Sequence, residues 1–282
     1  MKTGITGATG QLGRLVVEKL KEKGVLSENL IALVRTPSKA ADLQIEAREF
    51  DYAKPKSLPQ ALKGVDHLLL ISGNEIGQRA TQHANVINAA KEAGVKWIVY
   101  TSLLHADTSS LSLAEEHLIT EKALKASGIA YTILRNGWYT ENYTGSVAGA
   151  VAGGAFIGSA GDGKIASAAR ADFAEAAAVV LTSTGQEGKI YELAGDEAYT
   201  LSDLAAEISR QTGKDIPYKN LSEVEYANAL KSFGLSEGLA QAIAGWDVSA
   251  SKNDLFGDGK QLSKLIGHST TPLAEVVKKA LE

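Results

Sequence analysis

Short, unbroken apolar runs recur along the chain, and between them apolar residues fall at helical spacing. The run that starts at Met1 leads into Gly7, and Leu15, Val16, Val17 and Leu20 then mark one face of a helix. Leu30–Val34, Ala47–Asp51, His67–Ile71, Lys96–Tyr100 and Ala130–Arg135 read as further strands, each bounded by turn residues. Helical stretches at 58–62, 79–93 and 115–126 alternate with them, the last two closed by Gly94 and Gly128. Continuous Val/Ile/Leu runs alternating with helices predict an α/β fold built on a doubly wound parallel sheet, a Rossmann arrangement.

Beyond Tyr143 the pattern changes. The glycine- and alanine-rich stretch 145–163 reads as loop, strand and turn, and is the one flexible-looking segment. Helices follow at 171–181, 201–212, 223–234, 238–244 and 273–281, with strands at 189–193 and 216–219. The expected organisation is a dinucleotide-binding domain over 1–143, its sheet completed from the C-terminal half. Residues 144–282 form a smaller α/β lobe expected to cover the substrate.

In parallel sheets, ligands sit at the carboxyl ends of the strands, where strand order reverses. The first such loop is Gly7-Ala8-Thr9-Gly10-Gln11-Leu12-Gly13, directly between strand and helix. Little side chain stands between a pyrophosphate and the unpaired first amides of that helix, at the positive end of its dipole. Arg35 ends the second strand where an NAD-binding chain would carry an acid for the ribose 2′-hydroxyl; with Lys39 nearby it argues for a 2′-phosphate, hence NADP(H). Asp51 ends the third strand as either an adenine-edge contact or a helix cap. The small residues Ser72-Gly73-Asn74 close the fourth strand and let a cofactor pass near backbone. His83, on the following helix, reads as a helix-surface or core histidine.

Composition narrows the chemistry. The 282 residues are 44% hydrophobic and 22% charged, ordinary for a soluble globular protein. A net charge of −4 without a basic cluster gives no footprint for nucleic acid. The absence of cysteine excludes disulfides, thiolate catalysis and cysteine-held metal, and no metal is expected. No apolar stretch is long enough to span a membrane, and the chain opens on a core strand, so the expected location is the cytoplasm.

The motifs GATGQLG (7–13), LLLISG (68–73), YTSLLHADTS (100–109), the EHL-TEKAL helix (116–124), LRNGWYTENY (134–143), AGDGKIASA (160–168) and YELAGD (191–196) together resemble NmrA-like atypical short-chain dehydrogenases. The bacterial NAD(P)H:quinone oxidoreductases and the triphenylmethane reductases are the nearest branches. The resemblance implies an NADPH-dependent reductase that passes hydride to a small quinone-like acceptor without a flavin. Residues Asn136, Gly137, Trp138, Tyr139, Thr140 and Glu141 would then wrap the nicotinamide. Ordinary short-chain dehydrogenases use Tyr-x-x-x-Lys; here Lys122 is present, but Leu118 stands four residues before it. Lys122 keeps a positioning role toward the nicotinamide ribose, and the proton donor is missing. A quinone tolerates that loss, since the charge on a hydroquinone anion is delocalised and one or two donors suffice. Asn142 is the expected donor, and Trp138, Tyr139 and Tyr143 offer flat faces to a ring. A dinucleotide sensor without turnover and a reductase of triarylmethane dyes stand as the alternatives.

Overall fold

The computed structural model describes residues 1–282. The elements run β1 (Thr3–Thr6), α1 (Gln11–Glu22), β2 (Leu30–Val34), β3 (Glu46–Glu49), α2 (Leu58–Ala61), β4 (His67–Leu70) and α3 (Arg79–Ala93). Next come β5 (Trp97–Leu103), α4 (Ala114–Ser127), β6 (Ala130–Asn136), α5 (Glu141–Thr144), α6 (Val147–Gly153), β7 (Phe156–Gly158) and α7 (Arg170–Thr182). The rest is β8 (Ile190–Leu193), α8 (Leu201–Thr212), β9 (Tyr218–Asn220), α9 (Glu223–Ser232), α10 (Glu237–Ser251), α11 (Gln261–Ile266) and α12 (Leu273–Leu281).

Seven strands form one sheet in the order β3-β2-β1-β4-β5-β6-β8, and every pairing from β3 to β6 is parallel. The chain winds outward from β1 to β3, then returns to the other side of β1 as β4. Strand order therefore reverses between β1 and β4, and the crevice at their carboxyl ends is the ligand position of such a sheet. The central strands β1, β2 and β5 are buried on both faces, as in a sheet covered by helices on each side. Helix α1 turns Leu12, Gly13, Val16, Val17 and Leu20 inward and packs against α7.

Two compact units divide the chain. The first holds residues 1–107, 113–136 and 170–192; the second holds 108–112, 137–169 and 193–282. The boundary falls after Asn136 rather than Tyr143. Residues 138–140 pair with Ala168 through Ala168 N–H to Trp138 O and Thr140 N–H to Ala168 O, which ties them to the second unit. That unit contains the parallel pair β7–β9 and a core of Tyr226, Ala227, Leu230, Ala240 and Ala244.

Two expectations need correction. The stretch 145–163 is not all loop: Val147–Gly153 is the helix α6, whose Val147 and Ala150 are buried while Gly149 and Gly153 face open space. A glycine on the outer face weakens a helix without preventing it when the inner face packs. Strand β5 also runs on past Tyr100, the expected end of the fifth strand, through Thr101, Ser102 and Leu103, paired with Leu134, Arg135 and Asn136, so the Thr101 and Ser102 hydroxyls lie in the sheet.

Gly13 is where helix and turn come closest: a Cβ there would lie 2.3 Å from Gly7 O and 2.7 Å from the Ala8 Cα. Gly13→Ala is expected to cost about 2–4 kcal/mol in urea unfolding, since the backbone must shift. Gly149→Ala, with nothing within 4 Å of its new Cβ, is expected to be neutral or to stabilise by up to about 1 kcal/mol. Equal effects at both positions would contradict the close approach of α1 to the turn.

Candidate functional site

The glycine turn is shaped for close backbone approach. Gly7 takes φ +58°, which a side chain disfavours, and its N–H donates to Leu33 O of the neighbouring strand. Gly10 N–H donates to Gly7 O at 2.8 Å, and a Cβ on Gly10 would lie 3.1 Å from that same oxygen. Gly10 caps α1 in an extended conformation, and no side chain satisfies the first amides of the helix. Ala8 and Leu12 are buried, Thr9 is half-buried, and Gly10 and Gln11 are exposed. The cradle that a phosphate needs is therefore present, with its donors uncapped. Arg14, which the sequence reading missed, braces it: Nε donates to Thr9 O at 3.2 Å and Nη2 to Lys39 O at 3.0 Å, while Nη1 pairs with Asp42.

Across the switch point, β4 hands over to a segment whose backbone is held by side chains. Ile71 N–H donates to Thr6 Oγ1, Ser72 N–H to Thr101 Oγ1 and Gly73 N–H to His83 Nε2, each at 2.9 Å. Gly73 O accepts from Arg79 Nε. His83 is fully buried, and its Nδ1 lies 2.9 Å from Thr120 Oγ1, which itself donates to Glu116 O. Accepting at Nε2 fixes the tautomer with the proton on Nδ1. Arg79 in turn pairs with Glu116 at 3.5 Å, so α3 and α4 together set the position of the loop. The Tyr52 hydroxyl, donating to Ile71 O at 2.9 Å, closes the same cluster.

Gly7–Leu12, Arg35, Ser72–Asn74 and Asn136 thus come together at the carboxyl edge of the sheet, in the first unit. Arg35 and Asn74 are exposed. Asn136, the last residue of β6, is 4% exposed, and its Oδ1 has no partner. A buried acceptor left unpaired at that edge calls for a donor from outside the chain. Asp51 is taken up locally: its Oδ1 accepts from Ala53 N–H and Lys54 pairs with it, making a turn and no helix cap.

Lys122 is held in place by no side-chain hydrogen bond. It lies on the exposed side of α4, because the helical period turns His117, Thr120, Glu121 and Leu124 inward. The neighbouring Glu121 is the buried one. It accepts from Ser102 Oγ at 2.7 Å and forms a two-pronged pair with Arg135, both contacts 2.9 Å. Arg135 also reaches Glu192 at 2.7 Å and Asp107 at 3.1 Å. His117 stands 2.7 Å from the Tyr100 hydroxyl. Burial pushes both His83 and His117 down to about 3, so each is neutral at neutral pH.

In the second unit, Gly137 and Thr140 are buried, Trp138, Tyr139 and Glu141 half-buried and Asn142 exposed on α5. Thr140 Oγ1 lies 2.8 Å from Ser167 Oγ, which lies 2.6 Å from the Tyr199 hydroxyl. Trp138 meets Trp246 edge-on, ring centroids 5.7 Å apart, and Trp246 Nε1 donates to Ser112 Oγ. Trp246 escaped the sequence reading because α10 extends to Ser251 through a stretch without clear apolar period. Tyr143 is not a ring-stacking face: it is buried, and its hydroxyl donates to Asp247 Oδ1 at 3.1 Å. The other oxygen of Asp247 accepts from Ser159 N–H at 2.9 Å; burial raises this carboxyl to about 6 against the pull of those two bonds.

Residues 7–184 match the model of a family described as NAD(P)H-binding. Quinone oxidoreductase 2 of Escherichia coli is 61% identical over 97% of this chain and 96% of its own length. The crystal structure of an NADPH-dependent quinone oxidoreductase from E. coli, complexed with NADPH, superposes with a TM-score of 0.96 at 59% identity, covering 99% of this chain and all of that one. The Citrobacter sp. triphenylmethane reductase complexed with NADP(H) gives a TM-score of 0.94 at 40% identity, over 99% of this chain and all of that one.

The buried histidines weaken the fold in acid. In the unfolded chain they take up protons below their ordinary value of 6.5, whereas the folded state excludes them down to about 3. Stability is fully present above 6.5 and falls as pH drops, by up to about 1.4 kcal/mol per pH unit for each histidine. His117→Gln is expected to flatten the slope of urea-unfolding stability between pH 6.5 and 4.5 by about one proton. An unchanged slope would show His117 to be protonated in the fold.

Proposed function

The chain belongs to the NAD(P)H-binding family, in its NmrA-like branch, and from that premise we propose that it is an NADPH-dependent quinone oxidoreductase using no flavin. The observation that carries this reading is the uncapped glycine cradle at the β1/β4 switch point, on a fold that matches an NADPH-bound quinone reductase along nearly its whole length. When bound, NADPH supplies a hydride and no proton donor. Gly7–Leu12 take the pyrophosphate, Arg35 the 2′-phosphate, and Ser72–Asn74 with Asn136 the ribose and nicotinamide end. Gly137–Glu141 belong to the same binding run by their place in the sequence.

The inner face of α4 explains why a quinone suits this chain better than a simple ketone. Where short-chain dehydrogenases hold the tyrosine acid this chain has Leu118, and the titratable groups turned inward on α4 are His117, neutral and buried, and Glu121, occupied by Arg135 and Ser102. Neither donates a proton to a developing alkoxide. A hydroquinone anion spreads its charge over the ring and takes its proton from water, so an amide donor is enough. We assign that donor to Asn142. Trp138 and Trp246 provide the flat apolar faces that a quinone ring would meet. No helix is long and apolar enough to cross a membrane.

Arg35→Glu is expected to raise the Kd of NADPH by at least about tenfold while leaving NADH within about twofold, because charge reversal removes a phosphate contact. Unchanged cofactor selectivity would remove the 2′-phosphate assignment. For Asn142→Ala, NADPH oxidation with a panel of small quinones should show kcat lowered by roughly tenfold or more at an unaltered KM for NADPH. Parent-level kcat would leave Asn142 a purely structural residue.

A further inference from the structure

Arg35 is not alone at the end of β2. Its Nη1 lies 3.3 Å from Glu75 Oε1, and the other carboxylate oxygen of Glu75 accepts from Gln82 Nε2 at 2.8 Å. Glu75 stands one residue beyond Asn74, in the loop that follows β4, whereas Arg35 follows β2. The sheet order β2-β1-β4 therefore makes this ion pair straddle the carboxyl end of β1, where the glycine cradle opens. The loop carrying Glu75 is anchored from below, since Gly73 is clamped at both N–H and C=O by the buried His83 and Arg79. Arg35 and Glu75 themselves are 68% and 50% exposed, so their attraction is weak and solvent-screened.

We propose that Glu75 is a cofactor-specificity residue, a latch that competes with the 2′-phosphate of NADPH for the Arg35 guanidinium. A phosphate group carries close to two negative charges and three acceptor oxygens, so it displaces a carboxylate from arginine but meets Glu75 as a like charge. NADH, with a 2′-hydroxyl, neither needs Arg35 nor meets that repulsion. Glu75 thus lowers the preference for NADPH below what Arg35 alone would give. Gln82 holds the carboxylate on the loop side, so release of Arg35 does not require the loop to move.

The inference rests on the reading of Arg35 as the 2′-phosphate contact, and equilibrium binding separates the two. Kd values for NADPH and NADH are measured by tryptophan-fluorescence quenching for the parent, Glu75→Gln, Arg35→Ala and the double variant. Glutamine at this exposed position keeps an acceptor for Gln82 and removes only the charge. Glu75→Gln is expected to tighten NADPH by about three- to tenfold, with NADH within about twofold. In the Arg35→Ala background the same change should move NADPH by less than about twofold, since most of the competition is gone. If Arg35→Ala weakens NADPH selectively while Glu75→Gln leaves it unchanged or weakens it, the latch is overturned and the Arg35 reading stands. If Arg35→Ala leaves the NADPH-to-NADH ratio at the parent value, both fall.

Discussion

The reversal of strand order between β1 and β4 is the constraint on which the rest depends. Two neighbouring strands leave the sheet there in opposite directions, so the backbone beyond their ends cannot continue a ladder. On the β1 side the chain solves this with glycine: Gly7 turns with a positive φ, and Gly10 and Gly13 bring the helix against the turn. On the β4 side it uses side chains, with three successive N–H groups received by Thr6, Thr101 and His83. One wall keeps its amides free for a ligand, and the other has its amides satisfied and its shape fixed. Unpaired buried amides are costly, so this division of labour is also an energetic one.

Holding the second wall in place carries polar groups into the core. Arg79, His83, Thr120 and Tyr100 are all under 9% exposed, and they connect the loop after β4 to α3, α4 and β5. Arg135 and Glu121 do the same between β6 and α4. Buried pairs of this kind add little net stability, but removing one partner strands the other charge in the interior. The same occupancy decides the chemistry. Every titratable group on the inner face of α4 is committed to structure, which leaves that face without a free proton donor.

Much of this was readable from the residues. Arg35 announced itself because β2 is a continuous apolar run whose next residue must lie at the carboxyl edge, and the glycine turn because its three glycines stand between a short strand and a helix. Register within α4 was not readable in the same way. Lys122 sits at the expected distance from a missing tyrosine, yet the inward stripe is His117, Thr120, Glu121 and Leu124, three of them polar, and a hydrophobic period cannot reveal a polar stripe. Pairing between α4 and β6 buries Glu121, and the partner, Arg135, is fourteen residues away. The lack of a clear apolar period hid Trp246 and Asp247 on α10, and outward-facing glycines made α6 look like a loop. Tyr143 read as a ring face because its partner, Asp247, lies 104 residues along the chain.

Amide hydrogen exchange with and without saturating NADPH tests the central claim most directly, because it reports the two walls separately. The account predicts that NADPH slows exchange at Gln11, Leu12 and Gly13, whose amides are uncapped in the free chain. It also predicts little change at Ile71, Ser72 and Gly73, which side chains already hold. Protection that appears at 71–73 but not at 11–13, or that falls only away from the β1/β4 crevice, would contradict it.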